Sequence, residues 1–166
     1  MNSFVNAILL ALTFPLIMLT IIVGFDLPVE MLKTSGKNLS FADEIIIVDS
    51  YSTDATKKIA TQHKEIQFIE NKFQDFTKQR NLALQYAKYP WILFLDADER
   101  VTQSLEKEIK ETIQNPVHSG YKINFPHFYM NRFLYSHSDD VLRLVKREGA
   151  HFKGEVHEKL LCKGSV

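Results

Sequence analysis

The chain has 166 residues, of which 45% are hydrophobic, and this is enough for one globular domain with a sizeable core. Lysine plus arginine and aspartate plus glutamate each total 20, so the sequence lacks the basic excess that indicates nucleic-acid binding. The single cysteine, Cys162, excludes an intrachain disulfide framework and is compatible with a reducing compartment.

An apolar segment without charged side chains, residues 4–25, comes first along the chain. It is long enough to be a candidate membrane segment, and Lys33 and Lys37 behind it would place the rest of the chain in the cytoplasm. We favour the alternative that residues 19–25 form a strand buried on both faces of a sheet. Residues 26–40 would then connect this strand, through a helix, to the next element.

The next apolar run is predicted to be a strand that ends in a polar cluster. Residues 45–48 read Ile-Ile-Ile-Val, and residues 49–56 read Asp-Ser-Tyr-Ser-Thr-Asp-Ala-Thr. The serine, threonine and aspartate side chains suit the start of a helix, because they can accept hydrogen bonds from its first N–H groups. Asp49 differs from the others, since a carboxylate at a strand tip can also accept hydrogen bonds from a ligand.

A short strand over residues 66–69 and a helix over residues 76–87 are predicted next, which continues the alternation typical of an α/β domain. Lys78 and Arg80 lie near the start of that helix. The planar guanidinium of Arg80 can bind base or phosphate oxygens, and the alternative is an ordinary local ion pair on the helix surface.

A second apolar strand ends in two carboxylates. Residues 91–95 read Trp-Ile-Leu-Phe-Leu, and Asp96 and Asp98 follow. Side chains two positions apart on an extended chain share a face, and Mg²⁺ and Mn²⁺ prefer carboxylate oxygens as ligands. Open α/β sheets bind ligands at the carboxyl ends of their strands, so this pattern indicates a site for a metal and a diphosphate. The alternative is an acidic surface turn.

The last third of the chain is predicted to contain one helix and two strands. Thr102 is expected to cap a helix that ends near residue 113, and alternating apolar residues predict strands over 121–125 and 141–146. Residues 126–135 between these strands are rich in aromatic side chains. We interpret them as core or hairpin packing, with a sugar-binding surface as the alternative.

Four motifs follow one another along the chain: DSYSTDAT at residues 49–56, KQRNLAL at 78–84, WILFLDADERVT at 91–102 and VHE at 156–158. Together they resemble the family 2 glycosyltransferases of the GT-A fold, and within that family the bacterial branch that builds lipopolysaccharide core or other cell-surface glycans. The resemblance covers residues 41–161. It implies an α/β fold with a mostly parallel, Rossmann-like sheet flanked by helices and a small antiparallel hairpin on the acceptor side.

The resemblance also assigns residues to the site that binds the nucleotide-diphospho-sugar donor. It places Asp49 on the nucleobase, Asp96 near the ribose and metal-bound water, and Arg80 at the nucleotide. Ser52 and Asp54 are counted in the same donor site.

A divalent cation, Mn²⁺ or Mg²⁺, is the implied cofactor. The resemblance assigns Asp98 and His157 as its ligands, and a neutral imidazole is a reasonable additional ligand for Mn²⁺. The alternative for His157 is a histidine at a strand edge that is bonded to Glu158.

An inverting sugar transfer needs a general base that removes the proton of the acceptor hydroxyl. Asp140 is the predicted base, because relatives carry an acidic residue before a similar Arg-Leu stretch, and Asp139 and Glu155 are its substitutes. Arg143 is interpreted as neutralising diphosphate or acceptor charge, or as holding Asp140 in place.

The resemblance implies a metal-dependent, inverting glycosyltransferase that takes its sugar from a nucleotide-diphospho-sugar, with a UDP-sugar as the favoured donor. The expected acceptor is a cell-surface glycan or glycolipid such as lipopolysaccharide core, reached from the cytoplasm at the inner face of the plasma membrane. We expect residues 1–16 to be an extension and residues 17–166 to be a GT-A domain that is incomplete at both ends.

Two alternatives belong to other classes of protein. A non-catalytic, nucleotide-binding remnant of the family is one, because Gly24 and Phe25 replace the polar residues that usually end the first strand in relatives. A haloacid-dehalogenase-like phosphatase is the other, since it also has Asp-x-Asp after an apolar strand. Arg100 argues against the phosphatase, which normally has threonine or valine at that position.

Overall fold

A computed structural model describes residues 18–24, 41–64, 66–96, 99, 101–129, 132–155 and 157–166, with residues 18–24, 127–129 and 132–137 described by their backbone. The elements in chain order are β1 (Met18–Gly24), β2 (Glu44–Asp49), α1 (Thr56–Ala60), β3 (Ile66–Glu70), α2 (Phe76–Tyr86), β4 (Trp91–Asp96), α3 (Gln103–Gln114), β5 (Gly120–Tyr129), β6 (Arg132–Lys146), β7 (His151–Lys153) and β8 (Lys159–Leu161).

Six strands form one mixed sheet in the order β3-β2-β1-β4-β6-β5, and β7 and β8 form a separate antiparallel pair. β3, β2, β1 and β4 run parallel to one another, whereas β6 is antiparallel to β4 and to β5. The predicted α/β class is thus confirmed. The β5–β6 hairpin is longer than predicted, because both strands extend into residues 126–135, where the alternating apolar pattern stops.

β1 lies at the centre of the parallel part of the sheet, between β2 and β4. Residues 18–24 therefore form a strand, which confirms the favoured interpretation of the apolar N-terminal segment. Across the described ranges, no helix combines the length and apolar character needed to span a membrane. Residues 4–17 and 25–40, and with them the predicted connecting helix, lie outside the described residues.

Neighbouring residues of β2 and β4 point to opposite faces of the sheet, and each face is buried in its own hydrophobic cluster. The cluster on the α3 face contains Ile45, Ile47, Ala60, Trp91, Leu93, Leu95, Val101, Ile109, Ile113, Ile123 and Leu144. The cluster on the α2 face contains Ile46, Val48, Ala83, Ala87, Ile92, Phe94, Val145, Phe152 and Leu160. Burial on both faces explains why these strands read as continuous apolar runs.

Side chains cap the N-termini of α2 and α3. The Thr102 hydroxyl accepts a hydrogen bond from the Leu105 N–H at 3.2 Å, which confirms the predicted start of α3. Asp75 caps α2 in the same way, with 2.7 Å between its carboxylate and the Lys78 nitrogen. The Lys78 backbone hydrogen bond holds the pKa of Asp75 below its ordinary value. These caps fix where α2 begins, and hence the position of Arg80 one turn further along the helix.

Candidate functional site

The carboxyl ends of the parallel strands form one edge of the sheet, and both predicted strand-tip aspartates lie there. Asp49 pairs with Gly24 of β1, and Val23 pairs with Asp96. Asp49 and Asp96 are therefore two strand spacings apart, about 10 Å. The order β3-β2-β1-β4 puts the topological switch point between β1 and β4, where open α/β sheets bind ligands.

Asp49 is almost fully buried, with 1% of its surface exposed. One carboxylate oxygen accepts the Ser52 N–H, with 2.8 Å between the heavy atoms, and the other accepts the Ser52 hydroxyl. Ser52 thus closes the turn after β2 on Asp49. Asp54 is exposed, and its carboxylate accepts the Thr56 N–H at 2.9 Å at the start of α1. Hydrogen bonds from the Thr56 hydroxyl and N–H hold the pKa of Asp54 below its ordinary value.

A buried amide links this turn to α2 and β3. Gln79 donates a hydrogen bond to the Ser50 hydroxyl at 3.0 Å and accepts one from Asn71 at 2.7 Å. The Asn71 N–H in turn donates to the Asp49 carbonyl at 2.9 Å. Sequence reasoning assigned no role to Gln79 or Asn71. The only signal was that Gln79 lies within the KQRNLAL motif.

Tyr51 lies in the left-handed region of backbone space, with φ of 64°, and its side chain is exposed. A side chain at such a position costs about 1–2 kcal/mol. Backbone strain of this kind is concentrated at functional sites. The turn after β2 is therefore strained as well as closed by hydrogen bonds.

Tyr51→Gly is expected to raise the free energy of unfolding by about 0.5–1 kcal/mol, because the relief of strain exceeds the entropy that glycine adds to the unfolded chain. Urea denaturation of the two proteins measures the difference. Tyr51→Ala retains a Cβ atom and is the matched control, with no gain expected. An equal gain from alanine would show that the phenol ring, rather than the backbone, destabilises the turn.

Arg80 extends from α2 to the tip of β4 and is only 13% exposed at its side chain. Its guanidinium forms ion pairs with Asp96 at 2.6 Å and with Glu158 at 2.5 Å, and it lies 5.2 Å from the centre of the Phe152 ring. These partners are distant in sequence, so the alternative of a local ion pair on the helix surface is wrong. The sequence indicates Glu158 only as a partner of His157, so its ion pair with Arg80 is not predicted.

Arg143 binds the second carboxylate oxygen of Asp96, the one that Arg80 does not contact. Its Nη2 atom is 2.7 Å from Asp96 and 2.5 Å from Glu99, and its side chain is 11% exposed. Arg143 is also the extra residue of a β-bulge, because Leu142 and Leu144 pair with consecutive residues of β5. Bulges of this kind redirect a side chain, and here the residue involved reaches across to the tip of β4.

The interpretation that Arg143 holds Asp140 is wrong, since its ion pairs are with Asp96 and Glu99. Asp140 instead accepts a hydrogen bond from the Asn124 amide at 2.9 Å, and its side chain is exposed. Asp140 lies two positions before Leu142, which packs on the α2 face, so Asp140 projects from the same face as α2.

The two predicted metal ligands are placed differently. Asp98 lies outside the described residues. His157 is exposed and has a left-handed backbone with φ of 56°. Within the described residues, no group of three histidine, cysteine, aspartate or glutamate side chains could hold a metal ion. Asp96 has an arginine on each oxygen, so its carboxylate is not open to a cation in this arrangement. A cation site would therefore depend on Asp98, whose carboxylate is a suitable donor.

The domain is of the α/β class, and its polar cluster lies at the carboxyl ends of β2 and β4, the position at which open α/β sheets bind ligands. The family model of glycosyl transferase family 2 matches residues 32–162, and the chain belongs to this family. Family membership removes the phosphatase alternative.

Curated relatives agree with this assignment. The lipopolysaccharide core biosynthesis glycosyltransferase LpsC of Rhizobium meliloti (strain 1021) is 31% identical over 81 residues, which cover 46% of this chain and 30% of LpsC. The SPbeta prophage-derived glycosyltransferase SunS of Bacillus subtilis (strain 168) is 30% identical over 121 residues, which cover 70% of this chain and 28% of SunS. The chain thus spans less than a third of the length of these relatives.

Solved structures show the same fold. The crystal structure of S. aureus TarS 1-349 in complex with UDP-GlcNAc matches with a TM-score of 0.59 and 20% sequence identity, over 71% of this chain and 36% of that chain. The GT-A architecture expected from the motifs is confirmed.

Proposed function

We propose that this domain transfers a sugar, with inversion, from a nucleotide-diphospho-sugar to a hydroxyl group of a cell-surface glycan or glycolipid. The observation that carries the proposal is the pair of arginines, Arg80 and Arg143, that meet on Asp96 at the switch point of the sheet. Guanidinium groups bind phosphate oxygens through paired, charge-assisted hydrogen bonds. A diphosphate placed at this edge would find such donors already oriented.

The donor would lie across the edge, with its base near the β2 turn and its diphosphate near β4. Asp49, Ser52 and Asp54 form the β2 end, and Asp96 and Arg80 form the β4 end. UDP-sugar is the proposed donor class, because the domain shares its fold with TarS, which has been crystallised with UDP-GlcNAc. Release of UDP during incubation with UDP-GlcNAc, UDP-glucose and UDP-galactose, compared with GDP-mannose, tests this choice.

Asp98 and His157 are the proposed ligands of Mn²⁺ or Mg²⁺, since carboxylate and imidazole together suit these ions, Mn²⁺ above all. A bound cation would offset the negative charge of the departing diphosphate. Arg80 and Arg143, both fixed near Asp96, would add hydrogen-bond donors for its oxygens. The residues of the chain therefore provide binding and charge stabilisation for the leaving group.

Asp140 is the proposed general base. In the transfer step the acceptor oxygen bonds to the anomeric carbon, the bond from that carbon to the diphosphate breaks, and the hydroxyl proton passes to the base. The exposed Asp140 carboxylate has one hydrogen bond from a neutral amide, Asn124, and it shares the sheet face from which Arg80 reaches the site. It is therefore open to an acceptor.

Asp140→Asn is expected to lower the rate of transfer by about 10²–10⁴-fold, because the amide cannot take the proton. UDP affinity should stay unchanged, since Asp140 does not contact the arginine pair. Asp139→Asn, one position earlier on β6, is the matched control and should retain the parent rate. Transfer at the parent rate by a correctly folded Asp140→Asn protein, or an equal loss in the control, would contradict this assignment.

The proposed acceptor is lipopolysaccharide core or a related glycolipid. Its support is the likeness to LpsC, a glycosyltransferase of lipopolysaccharide core biosynthesis. We place the reaction in the cytoplasm at the inner face of the plasma membrane, where a nucleotide-sugar donor and a lipid-linked acceptor can meet. Incubation of the protein with UDP-sugar and core-truncated lipopolysaccharide, followed by mass spectrometry of the lipid, tests the acceptor class.

A further inference from the structure

We infer that Glu99 is a positioning residue of the donor site. Its carboxylate joins the backbone of Asp96 to the guanidinium of Arg143, and it thereby fixes the tip of β4 relative to Arg143 of β6. This inference rests on the proposed function, because the position that Glu99 fixes matters only if a diphosphate binds there.

Both carboxylate oxygens of Glu99 are used. One accepts the Asp96 N–H with 2.8 Å between nitrogen and oxygen, and the other accepts Arg143 Nη2 at 2.5 Å. The Glu99 N–H donates back to the Asp96 carbonyl at 3.0 Å. Asp96 and Glu99 are thus tied together by their backbones and by the Glu99 side chain. Ala97 and Asp98, the rest of the Asp-Ala-Asp motif, lie between these two residues in the sequence.

Arg143 needs this partner because its surroundings offer few others. It is a buried residue whose guanidinium lies 5.5 Å from the centre of the Phe125 ring, and its Nε atom has no hydrogen-bond partner among the described residues. A charge in such a place is held by the anions that reach it, which here are Asp96 and Glu99. Without Glu99, Arg143 would be left with Asp96 as its one ion-pair partner among those described, and Asp96 is already shared with Arg80.

Glutamine cannot replace Glu99, although it has the same size. A glutamine side chain offers one acceptor oxygen and one NH₂ group, so the NH₂ would face either the Asp96 N–H or the Arg143 guanidinium, donor against donor. Glu99→Gln therefore removes at least one of the two bonds. Glu106→Gln is the matched control, since Glu106 forms a 2.6 Å ion pair with Lys110 on the outer surface of α3.

The test measures UDP binding by calorimetry, with Mn²⁺ in the buffer, for the parent chain, Glu99→Gln and Glu106→Gln. We expect Glu99→Gln to bind UDP about tenfold more weakly, which is the effect of one charge-assisted hydrogen bond, and Glu106→Gln to bind like the parent. Hydrogen exchange of the Asp96 amide identifies which bond is lost, since it should be about tenfold faster only where the glutamine NH₂ group faces that N–H.

A double-mutant cycle separates positioning from a loss of stability. Arg143→Lys keeps the charge but cannot bind two carboxylates with one planar fork. If Glu99 acts through Arg143, the two substitutions together should weaken UDP binding by clearly less than the product of their separate effects. Strictly multiplicative effects would overturn the inference. If Glu99→Gln does not fold, Glu99→Asp takes its place, because the shorter carboxylate keeps its charge but cannot reach the Asp96 N–H and Arg143 together. Weaker UDP binding is then expected, and parent affinity would overturn the inference.

The two possible failures are distinguishable. Parent-like UDP affinity in a folded Glu99→Gln protein would overturn the positioning role and leave the proposed function intact. A parent chain that is folded but binds neither UDP nor any other nucleoside diphosphate would refute the proposed function, and the positioning role with it.

Discussion

Arg80→Met is expected to weaken UDP binding by about 10–100-fold, because it removes a guanidinium that we propose binds the diphosphate. The substitution also leaves Asp96 and the half-buried Glu158 without the charge between them. Removing one member of a desolvated ion pair is costly, and we expect the free energy of unfolding to fall by about 2–3 kcal/mol. Methionine retains most of the packing volume, so the loss reports charge and hydrogen bonding rather than a cavity.

Calorimetric titration of UDP and urea denaturation measure the two effects separately. Lys78→Met, on the same helix, is the matched control, since Lys78 is 64% exposed at its side chain and forms a 3.1 Å surface ion pair with Asp75. A surface pair of this kind contributes about 0–1 kcal/mol, and parent affinity for UDP is expected. If Arg80→Met bound UDP as tightly as the control does, Arg80 would have a structural role and no part in the donor site.

Phe94→Ala is expected to lower the free energy of unfolding by about 3–5 kcal/mol, the largest stability effect predicted for this chain. Phe94 is 2% exposed, and its ring packs edge-to-face on Phe152, with 4.7 Å between the ring centres. Phe152 lies beneath the Arg80 guanidinium, and its backbone is bonded to the Asn81 side chain at 2.8 and 2.9 Å. The cavity would therefore loosen β7 and the support of Arg80.

Urea denaturation checks this value, with Tyr86→Ala on the exposed end of α2 as the control. Tyr86 is largely solvent-exposed, so a loss below about 1 kcal/mol is expected there. Similar losses in the two proteins would mean that the α2 face is less tightly packed than its contacts indicate.

The central strands could be predicted from sequence because their patterns are local. Residues 45–48 and 91–95 are continuous apolar runs, and burial on both faces of a parallel sheet requires that pattern. Thr102 could be identified as a cap for the same reason, since the N–H group that donates to its hydroxyl lies three residues away. The full length of β5 and β6 could not be predicted. The two strands continue to pair with each other through residues that lack the alternating apolar pattern of a strand.

The sequence motifs did not predict the contacts among the candidate site residues. Asp96 and Arg80 were both assigned to the donor site, yet nothing in the sequence indicated that they bind each other. Arg143 reaches Asp96 from 47 positions away, and only the antiparallel placement of β6 beside β4 and the bulge make that contact. Glu99 gave no signal beyond its place in a motif, because its role depends on that same long-range contact.

Calorimetric titration of UDP into the folded chain, with and without Mn²⁺ and alongside Asp98→Ala, tests the central claim most directly. We predict binding that requires the metal and is abolished by Asp98→Ala, because in the proposed site Asp98 would hold the cation and Arg80 and Arg143 would bind the diphosphate. Absence of binding for UDP and for other nucleoside diphosphates, in a protein shown to be folded, would contradict the claim. The domain would then be a non-catalytic member of its family.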